Sequence, residues 1–189
     1  RASDLLSKLN DFSNEKEPSR ERTDINALLM DIVTLTRESF LRHADVKLHT
    51  DLDKELPTIT AEKAGLKQVF INLIKNAVEA MEAGGNLFIQ TRRLPPPISG
   101  KPAPGKKGPH GYVEIQFKDD GPGIPEDIKE KLFDPYVSSK EGGHSGLGLS
   151  IAYHIIKSLH GHIVCEHVPD QGTMFKVELP IQGVFNRQK

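Results

Sequence analysis

The chain has 189 residues, enough for one α/β domain with a short appendage, and its 25 basic and 26 acidic side chains almost cancel. This balance leaves no basic surface for nucleic acid, and no apolar run reaches the ~18 residues that a membrane span requires. The single cysteine, Cys165, excludes a disulfide framework and is typical of a reducing compartment.

The first 22 residues are predicted to form a segment of their own. A short apolar stripe at helical spacing precedes a polar stretch, and the stripe consists of Leu5, Leu6, Leu9 and Phe12. A helix this short is marginal alone, so we interpret it as the end of a longer helix followed by a linker. Because the chain starts at Arg1 and enters this pattern at once, we expect a piece of a longer protein.

Helix and strand patterns fill the rest of the chain. Apolar residues at helical spacing predict three main helices, the first capped by Thr23 or Asp24, at 25–40, 61–83 and 147–160. Alternating and β-branched residues predict strands at 46–52, 87–93, 112–118, 162–168 and 173–180. This order of elements indicates an α/β domain.

A proline-rich stretch separates the second and third of these strands. Residues 94–110 contain six of the thirteen prolines, so they can hold neither a helix nor a strand ladder. Two interpretations stay open for this stretch: an extended hairpin tip carrying solvated lysines, or a docking segment for a partner.

Two glycine clusters between 117 and 150 predict a nucleotide site. Asp119 and Asp120 precede the first cluster, and a carboxylate accepts hydrogen bonds only, which suits an exocyclic amine such as that of adenine. The second cluster leads into the helix at 147–160, where free N–H groups and the positive end of the helix dipole suit phosphate.

The helix at 61–83 carries a polar stripe at i, i+4 and i+7, formed by Asn72, Asn76 and Glu79. We expect this stripe to lie largely opposite the apolar face of the helix. Asparagine oxygens are hard neutral ligands that suit Mg²⁺ when phosphates complete its shell. An exposed polar face is the alternative, although two asparagines are poor helix formers with no propensity reason to be there.

Five segments, in this order, resemble the catalytic and ATP-binding domain of sensor histidine kinases: QVFINLIKNAVEA (68–80), DDGPGIPEDI (119–128), FDPY (133–136), GGHSGLGLS (142–150) and QGTMFKVELP (171–180). The resemblance covers about 24–181. It implies the Bergerat ATP-binding fold, which type II topoisomerases, mismatch-repair ATPases and large heat-shock chaperones share. We expect a two-layer α/β sandwich, with a mixed sheet of about five strands, three main helices on one face and an ATP lid.

The resemblance also implies a division of the chain. Residues 23–183 would be the catalytic ATP-binding domain, 184–189 a tail, and 1–22 the remnant of the helical hairpin that dimerises and carries the phosphoacceptor. The lid, 134–145, is short and similar to that of the nitrogen-regulation type of kinase.

At the adenine end, the resemblance implies a role for each matching residue. Asp119 would accept the hydrogen bond of the adenine amine, helped by a water that Thr173 holds. Asp120 stands where many members of the family have Asn, a tolerated change. The turn under the base would be formed by Gly121, Gly123 and Ile124.

At the phosphate end, Asn76 would be the Mg²⁺ ligand and Asn72 would support the metal or the phosphates. Lys75 and Lys140 are candidate phosphate contacts, although Lys75 could equally be a salt-bridge partner of Glu79 one turn later. The end of the lid and the start of the following helix would hold the phosphates, through Ser145, Gly146, Leu147, Gly148 and Leu149.

One position favours the kinase branch of this superfamily. In the topoisomerase and chaperone branches, a Glu four residues before the metal-binding Asn activates the attacking water, whereas this chain has Asn72 there. An amide is no general base, so we expect poor ATP hydrolysis and a γ-phosphate reserved for another nucleophile. Phosphoryl transfer depends mainly on positioning and charge neutralisation, which such a domain can still provide.

The family's acceptor is a histidine followed by an acidic residue, and none of the eight histidines has that context. We therefore expect the acceptor to lie before Arg1, in the hairpin of a full-length homodimer, with a response regulator as the next partner. The fragment would be a monomer that binds ATP without autophosphorylation. We expect it in the cytoplasm, by itself or as the cytosolic part of a membrane-anchored sensor.

Two other functions stay open: a nucleotide-gated interaction module without phosphotransfer, and a hydrolytic ATPase of the chaperone or topoisomerase branch. Two further sites are disfavoured. His160, His162 and Cys165 lack the fourth ligand of a structural zinc site, and His144 is more simply a solvent-facing lid residue than a γ-phosphate contact.

Overall fold

The computed structural model describes residues 20–37, 45–96, 109–137, 146–168 and 172–181. The apolar stripe at 5–12, most of the proline-rich stretch and residues 138–145 of the predicted lid lie outside the described residues.

A five-stranded sheet forms one layer. Its strands are β2 (Val46–Leu52), β4 (Gly85–Leu94), β5 (Tyr112–Asp119), β6 (His162–Val168) and β7 (Gly172–Pro180), in the spatial order β2-β4-β5-β7-β6. The β2–β4 pair is parallel and the other three pairs are antiparallel, so the sheet is mixed as predicted. All five lie where the residue pattern predicted strands.

Helices form the second layer. They are α1 (Ile25–Thr36), α2 (Lys63–Ala80), the short α3 (Glu126–Lys129) and α4 (Gly148–Ser158). The Asp24 side chain caps α1 by accepting a hydrogen bond from the Ala27 N–H (3.0 Å). No helix among the described residues is long and apolar enough to cross a membrane.

The core lies between these layers. Alternate residues of the central strands point towards the helices and are fully buried, among them Ile115 and Phe117 on β5. Phe117 packs on Phe70 of α2, with ring centroids 5.7 Å apart. The opposite face of the sheet is largely polar, although Phe88 and Val164 are exposed there. The fold is therefore the predicted two-layer sandwich with its main helices on one face.

Three short elements were not predicted: α3 and a two-stranded sheet in which β1 (Glu21–Thr23) pairs antiparallel with β3 (Ile59–Ala61). Elements of three or four residues are too short to show a period, so their sequence carries no helix or strand signal. The two strands stabilise each other through contacts between residues far apart in the sequence.

Candidate nucleotide-binding site

Asp119 is the last residue of β5 and continues the alternation that points towards the helices. The carboxyl group is buried, with 2 % of the residue exposed. Its Oδ1 atom accepts two backbone hydrogen bonds, from the Gly121 N–H (3.0 Å) and the Thr173 N–H (3.2 Å). No hydrogen bond from the described residues reaches Oδ2, so this oxygen is the one open to a ligand.

The environment of Asp119 shifts the pKa of its carboxyl group. Burial raises the pKa of Asp119 above its ordinary value, and the neighbouring Asp120 acts in the same direction, although the two backbone hydrogen bonds oppose them. A carboxylate buried in this way is costly to the fold in its ionised form. Such a group is typical of a binding site rather than of a structural core.

Glycine is required beside Asp119 for steric reasons. A Cβ at Gly172 would lie 2.1 Å from the Asp119 carbonyl oxygen, and Gly172 has a φ of +89°. Gly123 also has a positive φ, of +81°, as expected for the turn that follows the carboxylate. Ile124 is half-buried and packs against the core beside this turn. These residues bring β7 close to the end of β5 and hold the loop there.

Asn72 and Asn76 lie on α2, but the stripe is not largely opposite the apolar face as we predicted. Both residues are half-buried and flank the buried residues of the helix. The reason is α4, which packs beside this flank and places the Gly148 carbonyl within hydrogen-bond distance of Asn72 Nδ2 (3.0 Å). A polar stripe beside a helix interface cannot be distinguished by periodicity from one that faces solvent.

Asn76 has an unsatisfied polar atom. Its Nδ2 is buried and has no hydrogen-bond partner among the residues that the structure describes. A buried amide group without a partner costs about 1–3 kcal/mol. The two ends of an asparagine amide have the same shape, so a 180° rotation would present the oxygen to the same place. Asn76 therefore fits a ligand or cation that the described side chains do not supply.

The start of α4 contributes backbone donors beside the asparagines. Gly148 is the first residue of this helix, and its first internal hydrogen bond runs from the Ile151 N–H to the Leu147 carbonyl (3.0 Å). The N–H groups before Ile151 therefore have no partner within the helix. Leu149 packs its side chain against the core and leaves its N–H at the helix N-terminus.

Tyr136, near the start of the predicted lid, contacts Gly146, the residue directly after the lid. The Tyr136 N–H donates to the Gly146 carbonyl (3.1 Å). Gly146 has a φ of +60°, and a Cβ there would lie 2.7 Å from the Tyr136 carbonyl carbon. Glycine is thus required where the chain enters the phosphate-loop motif.

Of the remaining residues predicted for the site, two are described by the structure and three lie outside the described residues. Lys75 lies on the exposed side of α2 and forms the anticipated ion pair with Glu79 (3.5 Å); a phosphate contact for it stays a prediction. Thr173 contacts Asp119 through its backbone N–H, a role that the sequence did not suggest. Lys140, Ser145 and His144 lie outside the described residues.

The loop at Asp119 is completed by one predicted residue, Gly121, and by one that the sequence analysis missed, Asn86. Gly121 lies against the end of α2, since a Cβ there would be 3.3 Å from Met81 Cγ and 3.6 Å from Ala80 Cβ. Asn86 of β4 binds Asp120 through its backbone and its side chain. The only available signal was a polar residue directly after Gly84-Gly85, which is too common to predict a site.

Comparison with known proteins gives one consistent result. A family described as histidine kinase-, DNA gyrase B- and HSP90-like ATPase matches residues 61–183. The sensor kinase CckA of Brucella abortus is 35 % identical over 181 residues, which is 95 % of this chain and 19 % of CckA. The sensory histidine kinase/phosphatase NtrB of Rhodobacter capsulatus is 34 % identical over 186 residues, which is 94 % of this chain and 48 % of NtrB.

Solved structures agree with the sequence relatives. The nucleotide-free catalytic domain of the histidine kinase ThkA has a TM-score of 0.67 at 27 % identity, covering 85 % of this chain and 95 % of that domain. ThkA in complex with its response regulator TrrA has a TM-score of 0.70 at 27 % identity, covering 96 % of this chain and 48 % of that one.

This chain spans about a fifth of the length of CckA and about half that of NtrB. The match to the family covers most of the chain, and the strand order, the buried carboxylate and the glycine-rich helix start agree with it. The chain therefore belongs to the histidine kinase-, DNA gyrase B- and HSP90-like ATPase family, as the ATP-binding catalytic domain of a two-component histidine kinase.

Proposed function

We propose that this domain binds Mg-ATP and donates the γ-phosphate to a histidine on a helical hairpin that precedes it, from which a response regulator takes the phosphate. The histidine contexts in this chain support an acceptor elsewhere. The solved complex of the histidine kinase ThkA with the response regulator TrrA supports a response regulator as the next partner. We propose that the activity is cytosolic, since the proposed donor, ATP, and the proposed next partner, a response regulator, are cytosolic.

The observation that carries the proposal is the arrangement of two loops along α2. The Asp119 loop touches the end of this helix through Gly121, Ala80 and Met81. The start of α4 touches Asn72, two turns earlier. Eight helical residues span about 12 Å, so the loop with the adenine acceptor and the loop with the phosphate donors contact one helix at points separated by about the length of an extended nucleotide.

At the adenine end, Asp119 is proposed to accept the amine hydrogen bond through Oδ2. Its Oδ1 is already held by the Gly121 and Thr173 N–H groups, which orient the carboxylate before the ligand arrives. Preorganisation of this kind lowers the ordering cost of binding.

At the phosphate end, the residues present fit a magnesium ion. Asn76, with its unsatisfied buried amide, would bind the ion, and Asn72 would support it from one turn earlier. The ion, when bound, would neutralise charge on the phosphate oxygens. The free N–H groups at the start of α4 would orient the same phosphates. Lys75 and Lys140 are proposed as further phosphate contacts.

The position of Asn72 disfavours the hydrolytic alternative. Its amide donates to the Gly148 carbonyl, and an amide accepts no proton from water at neutral pH. The site therefore holds ATP without a base of its own at that position, which suits transfer to a histidine supplied from outside.

The proposal is tested by mixing this domain with a separately produced acceptor hairpin from the full-length protein and ATP labelled at the γ-phosphate. We expect label on the hairpin histidine and none on this domain. Tight Mg-ATP binding without transfer would instead support a nucleotide-gated interaction module. Steady phosphate release without the hairpin, at enzyme-like rates, would support an ATPase.

The raised pKa of Asp119 predicts a pH dependence. The ionised carboxylate is disfavoured in the fold, so Asp119 contributes most to stability below its ordinary pKa of 3.8, and this contribution is lost as the pH rises through the raised value. Adenine binding needs the ionised acceptor, so the affinity should rise over the same window. Burial, with a further contribution from Asp119, raises the pKa of the nearby Cys165 to about 12, so this thiol stays neutral there.

The measurement is the dissociation constant of ADP by calorimetry from pH 4 to pH 8, for the wild type and Asp119→Asn. The variant reports the titration of every group other than Asp119, so the ratio of the two constants isolates Asp119. A ratio that does not change with pH would contradict the prediction.

A further inference from the structure

A cluster of hydrogen bonds outside the predicted site joins the start of β4 to the residue after Asp119. The Asn86 N–H donates to Asp120 Oδ1 (2.7 Å), and Asn86 Nδ2 donates to Asp120 Oδ2 (2.8 Å). The Asp120 N–H donates in return to the Asn86 carbonyl (3.3 Å). Three hydrogen bonds therefore hold these two residues in one relative position.

His49 of β2 extends the cluster. Its Nε2 lies 3.0 Å from Asn86 Oδ1. Since the Asn86 amide nitrogen already donates to Asp120, its oxygen is the acceptor, and His49 must carry a proton on Nε2. The imidazole ring also stacks on Phe88, with ring centroids 4.7 Å apart and an interplanar angle of 15°. The Asn86 side-chain amide is thus held at its nitrogen by Asp120 and at its oxygen by His49.

Gly85 leaves the space that the hydrogen-bonded pair Asn86–Asp120 needs. A Cβ at Gly85 would lie 2.5 Å from Asp120 Oδ1 and 2.7 Å from Met81 Sδ. Any side chain at this position would push the Asp120 carboxylate away from Asn86. The hydrogen bonds from Asn86 also hold the pKa of Asp120 below its ordinary value, so this carboxylate stays ionised and keeps both acceptors.

We propose that Asn86 and Asp120 are positioning residues for adenine recognition, with His49 orienting the Asn86 amide. This inference rests on the proposed role of Asp119 in binding the base. The Thr173 N–H holds the Asp119 carboxylate from one side. The other donor is the N–H of Gly121, which directly follows Asp120. By fixing Asp120, Asn86 fixes the peptide that carries this second donor and thereby the direction of the Asp119 carboxylate.

The test is an exchange of the two side chains. Asn86→Asp sets two carboxylates against each other and should weaken the binding of ADP without metal about ten-fold, as for a hydrogen bond to a charged group replaced by repulsion. Adding Asp120→Asn restores an amide–carboxylate pair with the roles exchanged. The double variant should bind ADP within about two-fold of the wild type. At saturating ATP, the rate of transfer to the acceptor hairpin should equal that of the wild type in both variants, because only ground-state binding is altered.

Gln90→Glu is the matched control. Gln90 of β4 donates to Asp51 of β2 (3.3 Å), away from the Asp119 loop. This variant creates a like-charge pair of the same kind, so it should lower the melting temperature without changing the dissociation constant for ADP. A melting temperature measured for every variant separates loss of stability from loss of positioning.

The inference is overturned if Asn86→Asp binds ADP as the wild type does, or if the exchange does not restore its affinity. Should Asn86→Asp fail to fold, Asn86→Ser removes only the side-chain bonds and should weaken binding about three-fold; unchanged binding would again overturn the inference. A wild-type domain that does not bind ADP would refute the proposed function instead.

Discussion

Asp119→Asn should weaken nucleotide binding about ten- to a hundred-fold, as expected for the loss of a charged hydrogen bond. The substitution keeps the shape of the side chain, and an amide oxygen can still accept the Gly121 and Thr173 N–H groups. What changes is the atom proposed to receive the adenine amine, since an amide nitrogen in place of Oδ2 is a donor and opposes another donor.

The same variant should not lose stability. Burial disfavours the ionised form of Asp119, and a neutral amide avoids that cost, so the melting temperature without ligand should be unchanged or higher. Loss of binding together with retained stability distinguishes a binding residue from a structural one.

Calorimetry with ATP and thermal unfolding provide the two measurements. Asp127→Asn is the matched control, because it makes the same substitution at an exposed carboxylate nearby and should change neither quantity. Wild-type affinity in Asp119→Asn would remove this residue from the adenine site.

Asn76→Ala should abolish most phosphotransfer while leaving the fold intact. We expect ATP binding in the presence of Mg²⁺ to weaken about ten- to a hundred-fold, and binding in excess chelator to change only a few-fold, because the side chain is proposed to act through the metal. Transfer to the acceptor hairpin should fall at least as much as Mg-dependent binding, since the metal neutralises the phosphate oxygens during transfer.

The structure also predicts the effect of Asn76→Ala on stability. A buried amide nitrogen without a partner costs free energy, so its removal should offset the small cavity that alanine leaves, and the melting temperature should change little. Lys67→Ala, at an exposed position of α2, is the control. Equal losses of affinity with and without Mg²⁺ would contradict the assignment of Asn76 to the metal.

The strands and the helix faces could be predicted because each is encoded locally. Alternation at 112–118 and helical spacing from Leu66 to Ala77 are periods that a single element shows by itself. The candidate site could be predicted for a related reason, because a carboxylate followed by glycines and a glycine-rich helix start are local motifs. The asparagine stripe was recognised, but its orientation was wrong, since α4 covers the flank that carries it.

The sequence alone thus determined the α/β class, the family and the residue types of the site, because periods and motifs depend on neighbours along the chain. Tertiary structure decided every feature that depends on contacts between residues far apart in the sequence. It set the Thr173 backbone against Asp119, placed Asn72 against Gly148, and buried the Asn76 amide nitrogen without a partner from the described part of the chain. It also joined Asn86 to Asp120, 34 residues apart, through a contact that only the pairing of β4 with β5 creates.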